Sequence, residues 1–266
     1  MVMGLSLRAG IASDVGEYRE TNQDAAFAAS WGAGVADGVG GGPAGDLASA
    51  ALVHRLVSGG ASVADAAELA VRIRAANWDL AAHVRRDPAL AGMATTFTGV
   101  WFTRAGALLL AHTGDSRAYL LREGHLTRQT RDDSFVQVLV EHGIVREEDA
   151  MTHPRRNIIT ASLRGDADDL VRISTRIPVR HDRWLLCSDG VSDYLPDDAI
   201  AAVVASADDP AVAAQLVVAA ALQAGSRDNV TAVVADVVDG PPTGEPPLFG
   251  GAAADRFRES FDAVAG

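Results

Sequence analysis

The chain has 266 residues, enough for one large domain or one domain with a short appendage. Its 23 basic side chains against 35 acidic ones leave a net charge of -12, which argues against nucleic acid as the main partner, because a phosphate backbone needs a basic face. All 23 cations are arginine, which excludes a lysine-dependent Walker-type phosphate loop, and the single cysteine, Cys187, excludes an internal disulfide and a multi-cysteine metal cluster.

The first residues, MVMGLSLRAG, carry no charged, apolar and cleavable leader, and no apolar run approaches bilayer-spanning length. Together with the lone cysteine this predicts a cytoplasmic protein with no membrane contact. The runs LSLRAGIAS and DAAFAAS read as strands. A short apolar run then closes on Asp37 in VADGVGGGPAGD, where a carboxylate is followed at once by glycines. An alanine-rich helix is expected from Gly45 to about Val57. A longer helical tract follows, with Leu69, Ile73, Ala76, Leu80 and Val84 on one stripe and Arg72, Asp79 and Arg86 on another. Next come the strand-like runs TTFTGVWFT, ALLLAHTGD and RAYLLR. The charged, interrupted segment from Thr130 to Arg164 holds one short helical stretch, DDSFVQVLVEHGI, then THPRR, and reads as an excursion from the sheets.

VRISTRI and RWLLCSD are further strands, a helix spans Pro210 to Leu222, and NVTAVVADVV is the last long strand. Leu108 to Leu110 and Val230 to Val238 are apolar on both faces, so these strands should be covered on each side. From Asp239, DGPPTGEPPLFGG reads as a linker unable to hold a core. Beyond it the pattern of AAADRFRESFDAVAG is compatible with one amphipathic helix aligning Phe257, Phe261 and Val264, and the segment reads as a frayed tail or a helix docked on its own domain rather than a partner-binding peptide. Strands in hairpins with helices between the groups predict an α+β layered fold.

Aspartates recur where apolar runs stop: Asp37, Asp115 in HTGDSR, Asp189 in LLCSDG, and Asp228 just before the last strand. Any one alone is a favoured turn residue. Four together could converge at one edge of a layered sheet, where they would repel each other unless a cation neutralised them. Oxygen ligands without cysteine or histidine suit Mg²⁺ or Mn²⁺ better than zinc. Gly38, lacking a side chain, lets its own carbonyl approach the ion held by Asp37. In GEYRETNQD, Arg19, Gln23 and Asp24 share one short segment, and an arginine near a metal pair offers a planar fork for two phosphate oxygens. In isolation it would be a solvated loop arginine.

The ordered set GEYRETNQD, VADGVGGGPAGD, GMATTFTGV, AHTGDSRAYLL, LLCSDGVSD and GSRDNVTAVV resembles the metal-dependent type 2C protein serine/threonine phosphatases, the PPM family, in their bacterial form. The resemblance runs from about Leu5 to Val238, so it implies a catalytic domain over 1–238 and an appendage over 239–266. It implies a four-layer α-β-β-α sandwich with two central antiparallel sheets and a two-metal centre at one end. Asp37 would bridge both ions, Gly38 would give its carbonyl to one, and Asp189 and Asp228 would complete the shell. Asp115 matches the family's ligand for a third, weaker ion, with Asp189 shared. Arg19 matches the arginine that grips the substrate phosphate, and residues 130–164 match a mobile flap.

Two positions depart from the pattern. Gln23 stands where many members have Glu, so it contributes no charge. Val39 stands where animal members have a histidine proposed to protonate the leaving alkoxide, which leaves the proton donor open between a metal-bound water and the flap residue His153. The implied reaction is one-step hydrolysis of phosphoserine or phosphothreonine by water shared between two Mn²⁺ or Mg²⁺ ions, with phosphorylated proteins, a Ser/Thr kinase or its targets, as partners of a monomer. The alternative is a phosphopeptide-binding module of the same fold, catalytically weak. A cysteine-dependent phosphatase is excluded because the sixth position after Cys187 is Asp193 instead of arginine. No Gly-x-Ser-x-Gly turn surrounds Ser188 or Ser192. His112 is expected to be a hydrogen-bonded core histidine.

Overall fold

The computed structural model describes residues 4–39, 44–60 and 62–256. In chain order the strands are β1 (Leu5–Asp14), β2 (Asp24–Ala29), β3 (Gly32–Val39), β4 (Ala94–Thr95), β5 (Phe97–Phe102), β6 (Leu108–Thr113), β7 (Arg117–Arg122), β8 (His125–Arg128), β9 (Arg172–Arg176), β10 (Arg183–Cys187), β11 (Val230–Asp239) and β12 (Leu248–Gly251). The helices are α1 (Gly45–Ser58), α2 (Ala66–Arg86), α3 (Phe135–Glu141), α4 (Glu147–Ala150), α5 (Asp189–Ser192), α6 (Asp197–Val204), α7 (Pro210–Gln223) and α8 (Ala252–Asp255).

The strands form two antiparallel sheets, in the orders β1-β11-β10-β7-β8 and β12-β2-β3-β5-β6-β9, with β4 paired to β3. Because strand side chains alternate, each sheet feeds two cores. Ala26, Ala28, Val100 and Leu110 of one sheet meet Leu120, Trp184, Val233 and Val237 of the other between the layers. The outer face of the second sheet, with Phe27, Phe97 and Trp101, packs under α1 and α2. The outer face of the first, with Leu185, Ala232 and Val234, packs under α6 and α7. The result is the α-β-β-α sandwich, and β11 is buried on both faces as its sequence demands.

Helix ends follow local chemistry. Asp65 caps α2 by accepting from the Glu68 amide, and Asp209 caps α7 with Pro210 in the first turn. The apolar stripe of α2 is buried at Leu69, Ile73, Ala76 and Leu80.

Several elements differ from expectation. Asp37 does not end its run: it lies inside β3, directly opposite Asp24 of β2. The Ala/Gly composition of β3 hid a strand that β-propensity alone would not select, and burial between two neighbouring strands overrides that weakness. The segment read as a linker ends in a strand, β12, which completes the sheet beside β2. Ala252 and Ala253 of α8 then bury against α1. Phe257, Phe261 and Val264 lie outside the described residues. No helix among the described residues is long and apolar enough to cross a membrane.

Candidate metal and phosphate site

Asp37, Asp115, Asp189 and Asp228, which are 191 residues apart at the extremes of sequence (228 − 37), line one cleft of about 140 Å³ together with Arg19, Gln23, Gly38 and Val39. The cleft opens at one end of the sandwich, where β3, the β6–β7 turn, the end of β10 and the start of β11 meet.

Each carboxylate is fixed by its backbone. The amide of Asp37 donates to Thr96 Oγ1 at 3.0 Å, and its carbonyl accepts from the Thr96 amide at 2.8 Å and from Thr95 Oγ1 at 3.0 Å. Thr96 Oγ1 in turn bonds Ser116 Oγ at 2.8 Å, tying β3 to the turn that carries Asp115. Asp189 opens α5, a single helical turn at the end of β10. Asp228 sits in the turn before β11, its Oδ1 accepting from the Asn229 amide at 2.8 Å.

Two glycines permit the convergence. A Cβ at Gly190 would run into the carbonyl of Asn229, so only glycine lets the helical turn bearing Asp189 approach the turn bearing Asp228. A Cβ at Gly38 would run into the carbonyl oxygens of Gly45 and Gln23.

Arg19 reaches the cleft as an ion pair with Asp228, Nη2 to Oδ2 2.7 Å. Its loop is pinned by Asn229, whose side-chain amide donates to the carbonyls of Val15 and Thr21 while its oxygen accepts from the Gln23 amide. Burial, which disfavours the guanidinium, is outweighed by Asp228, Asp189 and Asp37, and its pKa is raised.

The carboxylates behave as an under-neutralised group. Burial, then repulsion from Asp24, Asp115 and Asp228, holds Asp37 well above the ordinary range. Asp189 is raised likewise by burial and by Asp37 and Asp115. Asp115 is pushed up to about 8 by burial and by Asp132 and Asp193. Behind them the buried Asp24, hydrogen-bonded by Ser188 Oγ at 2.7 Å, is pushed up to about 7, chiefly by burial. Asp189 Oδ1 is buried with no hydrogen-bond partner among the described residues.

Such a donor set fits hard divalent cations. It offers carboxylate oxygens and a glycine carbonyl, it excludes thiolate and imidazole, and it carries an orphaned buried oxygen whose cost a cation would remove. As they stand, no three His, Cys, Asp or Glu side chains among the described residues are gathered tightly enough to enclose an ion.

His112 is the expected core histidine, with Nδ1 bonded to Thr98 Oγ1 at 2.9 Å and Nε2 to the Arg131 carbonyl at 2.8 Å. His153 does not line the cleft, and its Nδ1 accepts from the Arg155 amide at 3.1 Å. Of the segment 130–164, Asn157 and Ile159 form part of the cleft wall. Sequence reasoning gave no role to Asn229 or to the buried Asp24, although the Asp-Asn pair before β11 and the aspartate opening β2 were both visible signals.

Residues 18–219 match the family described as Protein phosphatase 2C. The chain is 41% identical over 241 residues to the serine/threonine protein phosphatase PstP of Mycobacterium tuberculosis, covering 88% of this chain and 46% of that protein. It therefore spans about half the length of that relative. The crystal structure of the PstP catalytic domain in complex with two manganese ions superposes with a TM-score of 0.81 at 39% identity, covering 88% of this chain and all of the other (100%). The PPM Ser-Thr phosphatase MsPP of Mycobacterium smegmatis, in complex with cacodylate, gives a TM-score of 0.78 at 32% identity, with 86% and 97% of the two chains covered.

Proposed function

The chain belongs to the protein phosphatase 2C family, and on that premise we propose that it hydrolyses phosphoserine and phosphothreonine esters in proteins, using two Mn²⁺ or Mg²⁺ ions. The observation that carries the proposal is the orphaned oxygen of Asp189 in a cleft shared with Asp37 and entered by Arg19.

Asp37, Asp189 and Asp228, with the carbonyl of Gly38, would hold the two ions, and Asp115 with Asp189 would hold a third, weaker one. When bound, divalent ions supply Lewis-acid neutralisation of phosphoryl charge and a water acidified toward neutrality. The protein's own side chains do the remaining work. Arg19 presents its planar fork to two phosphoryl oxygens, and Asp228 aims that fork by a 2.7 Å ion pair. Asn229 prevents the Arg19 loop from drifting, because three of its hydrogen bonds end on that loop. Val39 forms an apolar part of the wall and has no proton to give, so the leaving oxygen is not protonated from that position. No side chain needs to act as nucleophile, and Cys187 is unsuited to do so: it is fully buried and its thiol is pushed up to about 12, mainly by burial.

Phosphate release from a phosphothreonine peptide tests the reading. Turnover with Mn²⁺ that stops on chelation and returns when the ion is restored is the expected result. Metal-independent binding of the phosphopeptide without turnover would instead favour a binding module built on the same fold.

A further inference from the structure

The last described residues do more than close a sheet edge. β12 pairs with β2 so that Gly251 faces Ala25, the neighbour of Asp24, which itself faces Asp37 across the β2–β3 ladder. Phe249 stacks on His54 of α1, ring centroids 4.4 Å apart, and the carbonyl of Ala253 bonds His54 Nε2 at 2.8 Å. Arg256 then forms an ion pair with Asp46 in the first turn of α1, Nε to Oδ2 2.7 Å. Asp46 directly follows Gly45, and Gly45 packs so closely on Gly38 that neither could carry a Cβ without meeting the other's carbonyl. The segment 248–256 thus grips both supports of the Asp37–Gly38 backbone: the strand beside it and the helix start against it.

We propose that residues 248–256, latched by Arg256 to Asp46, are a positioning strap that sets the Gly38 carbonyl and the Asp37 carboxylate for cation binding. The proposal rests on reading the cleft as a metal site. Arg256 touches no reacting group. It acts through Asp46, Gly45 and Gly38, and the strand β12 acts through β2 and Asp24.

The test compares the full chain with Arg256→Gln, Asp46→Asn and the double variant. Three readouts are taken: Mn²⁺ affinity by calorimetry, amide hydrogen exchange at Gly38, and the thermal midpoint. The Gly38 amide is a suitable reporter because it donates to the Gln23 carbonyl at 3.1 Å. Either single change is expected to weaken Mn²⁺ binding about two- to fivefold, the scale of a partly exposed ion pair, and to speed exchange at Gly38. The double variant should be no worse than the singles, because both remove the same contact. A lower thermal midpoint with unchanged Mn²⁺ affinity and unchanged exchange at Gly38 would overturn the proposal, reducing the strap to an ordinary docked tail. Should the unaltered chain bind no Mn²⁺, the metal reading itself fails. Exchange at Gly38 then still decides whether the strap positions that backbone.

Discussion

Two acidic regions of the molecule share Asp115 and differ in what neutralises them. In the larger, a cavity of about 480 Å³ beside the cleft, Asp132, Asp193 and Asp197 have partners. Arg117 grips Asp132 through Nε at 3.1 Å and Nη2 at 2.8 Å, and Arg128 pairs with the same carboxylate. Arg156 holds Asp193 at 3.0 Å, and the Tyr119 hydroxyl donates to Asp197 at 2.9 Å. In the smaller cleft Arg19 serves Asp228, while Asp37 and Asp189 press against each other and an oxygen of Asp189 is left bare. Similar residue types therefore build an arginine-paired buttress in one place and a charge deficit in the other. Arginine supplied by the fold neutralises one region, and its shortage in the other leaves buried carboxyls that hold protons or, on the proposed reading, take up cations.

Neutralising the cleft breaks that comparison most severely. Asp37→Asn or Asp189→Asn should lower phosphatase turnover on the order of 10³-fold or more, because on the proposed reading each removes a ligand from a unit that works together. The chelated variants should be no less thermally stable than the parent, since one member of a repelling set is gone. Loss of stability in the chelated form alongside lost turnover would mean that these aspartates are structural.

The reverse pattern is expected next door. Asp132→Ala leaves the guanidinium of Arg117 buried without its partner and should cost about 3 kcal/mol of folding stability in denaturant titration. An unchanged denaturation midpoint would show that the pair is not the buttress described.

Arg19→Ala comes third. It should lower kcat/KM for a phosphothreonine peptide by about 10- to 100-fold while leaving Mn²⁺ affinity nearly intact, since the arginine meets phosphate and not metal. Loss of metal binding instead would mean that Asp228 needs the arginine beside it to hold an ion.

The smallest effect is a pH trend. Asp24, pushed to about 7, and Asp115, pushed to about 8, retain protons in the folded chelated protein that the unfolded chain has already released. Stability of the chelated protein should therefore fall as pH rises from about 4.5 to about 8, where the folded carboxyls have also ionised. His112, held neutral by burial, acts in the opposite sense as pH drops below its ordinary value and so offsets part of the trend at the acid end of that window. Saturating Mn²⁺ should reverse the slope, because it binds the ionised carboxylates. Thermal midpoints at the two pH values, with chelator and with metal, check both signs.

Much of this was legible in the amino-acid sequence because the signals were local. The long apolar runs of β6 and β11 and the stripe of α2 were set by periodicity, and six ordered motifs pointed to the carboxylates and Arg19. What escaped was decided by neighbours distant in the chain. β3 reads as loose Ala and Gly until β2 and β5 flank it, and β12 sits in a proline-glycine segment whose pairing with β2 no local propensity announces. Asp24 looked like a strand opener, and only the approach of Ser188, 164 residues away, makes it a buried acid behind the site. The pairing that separates the two acidic regions was invisible for the same reason: Asp132 and Asp37 look alike until Arg117 is seen to lie against one and not the other.

The most direct test of the imported-cation account is anomalous scattering from crystals of the protein grown with Mn²⁺. The account predicts manganese peaks in the cleft in contact with carboxylate oxygens of Asp37 and Asp189, and none beside Asp132. Manganese absent from the cleft, with Asp37 and Asp189 turned apart, would contradict it.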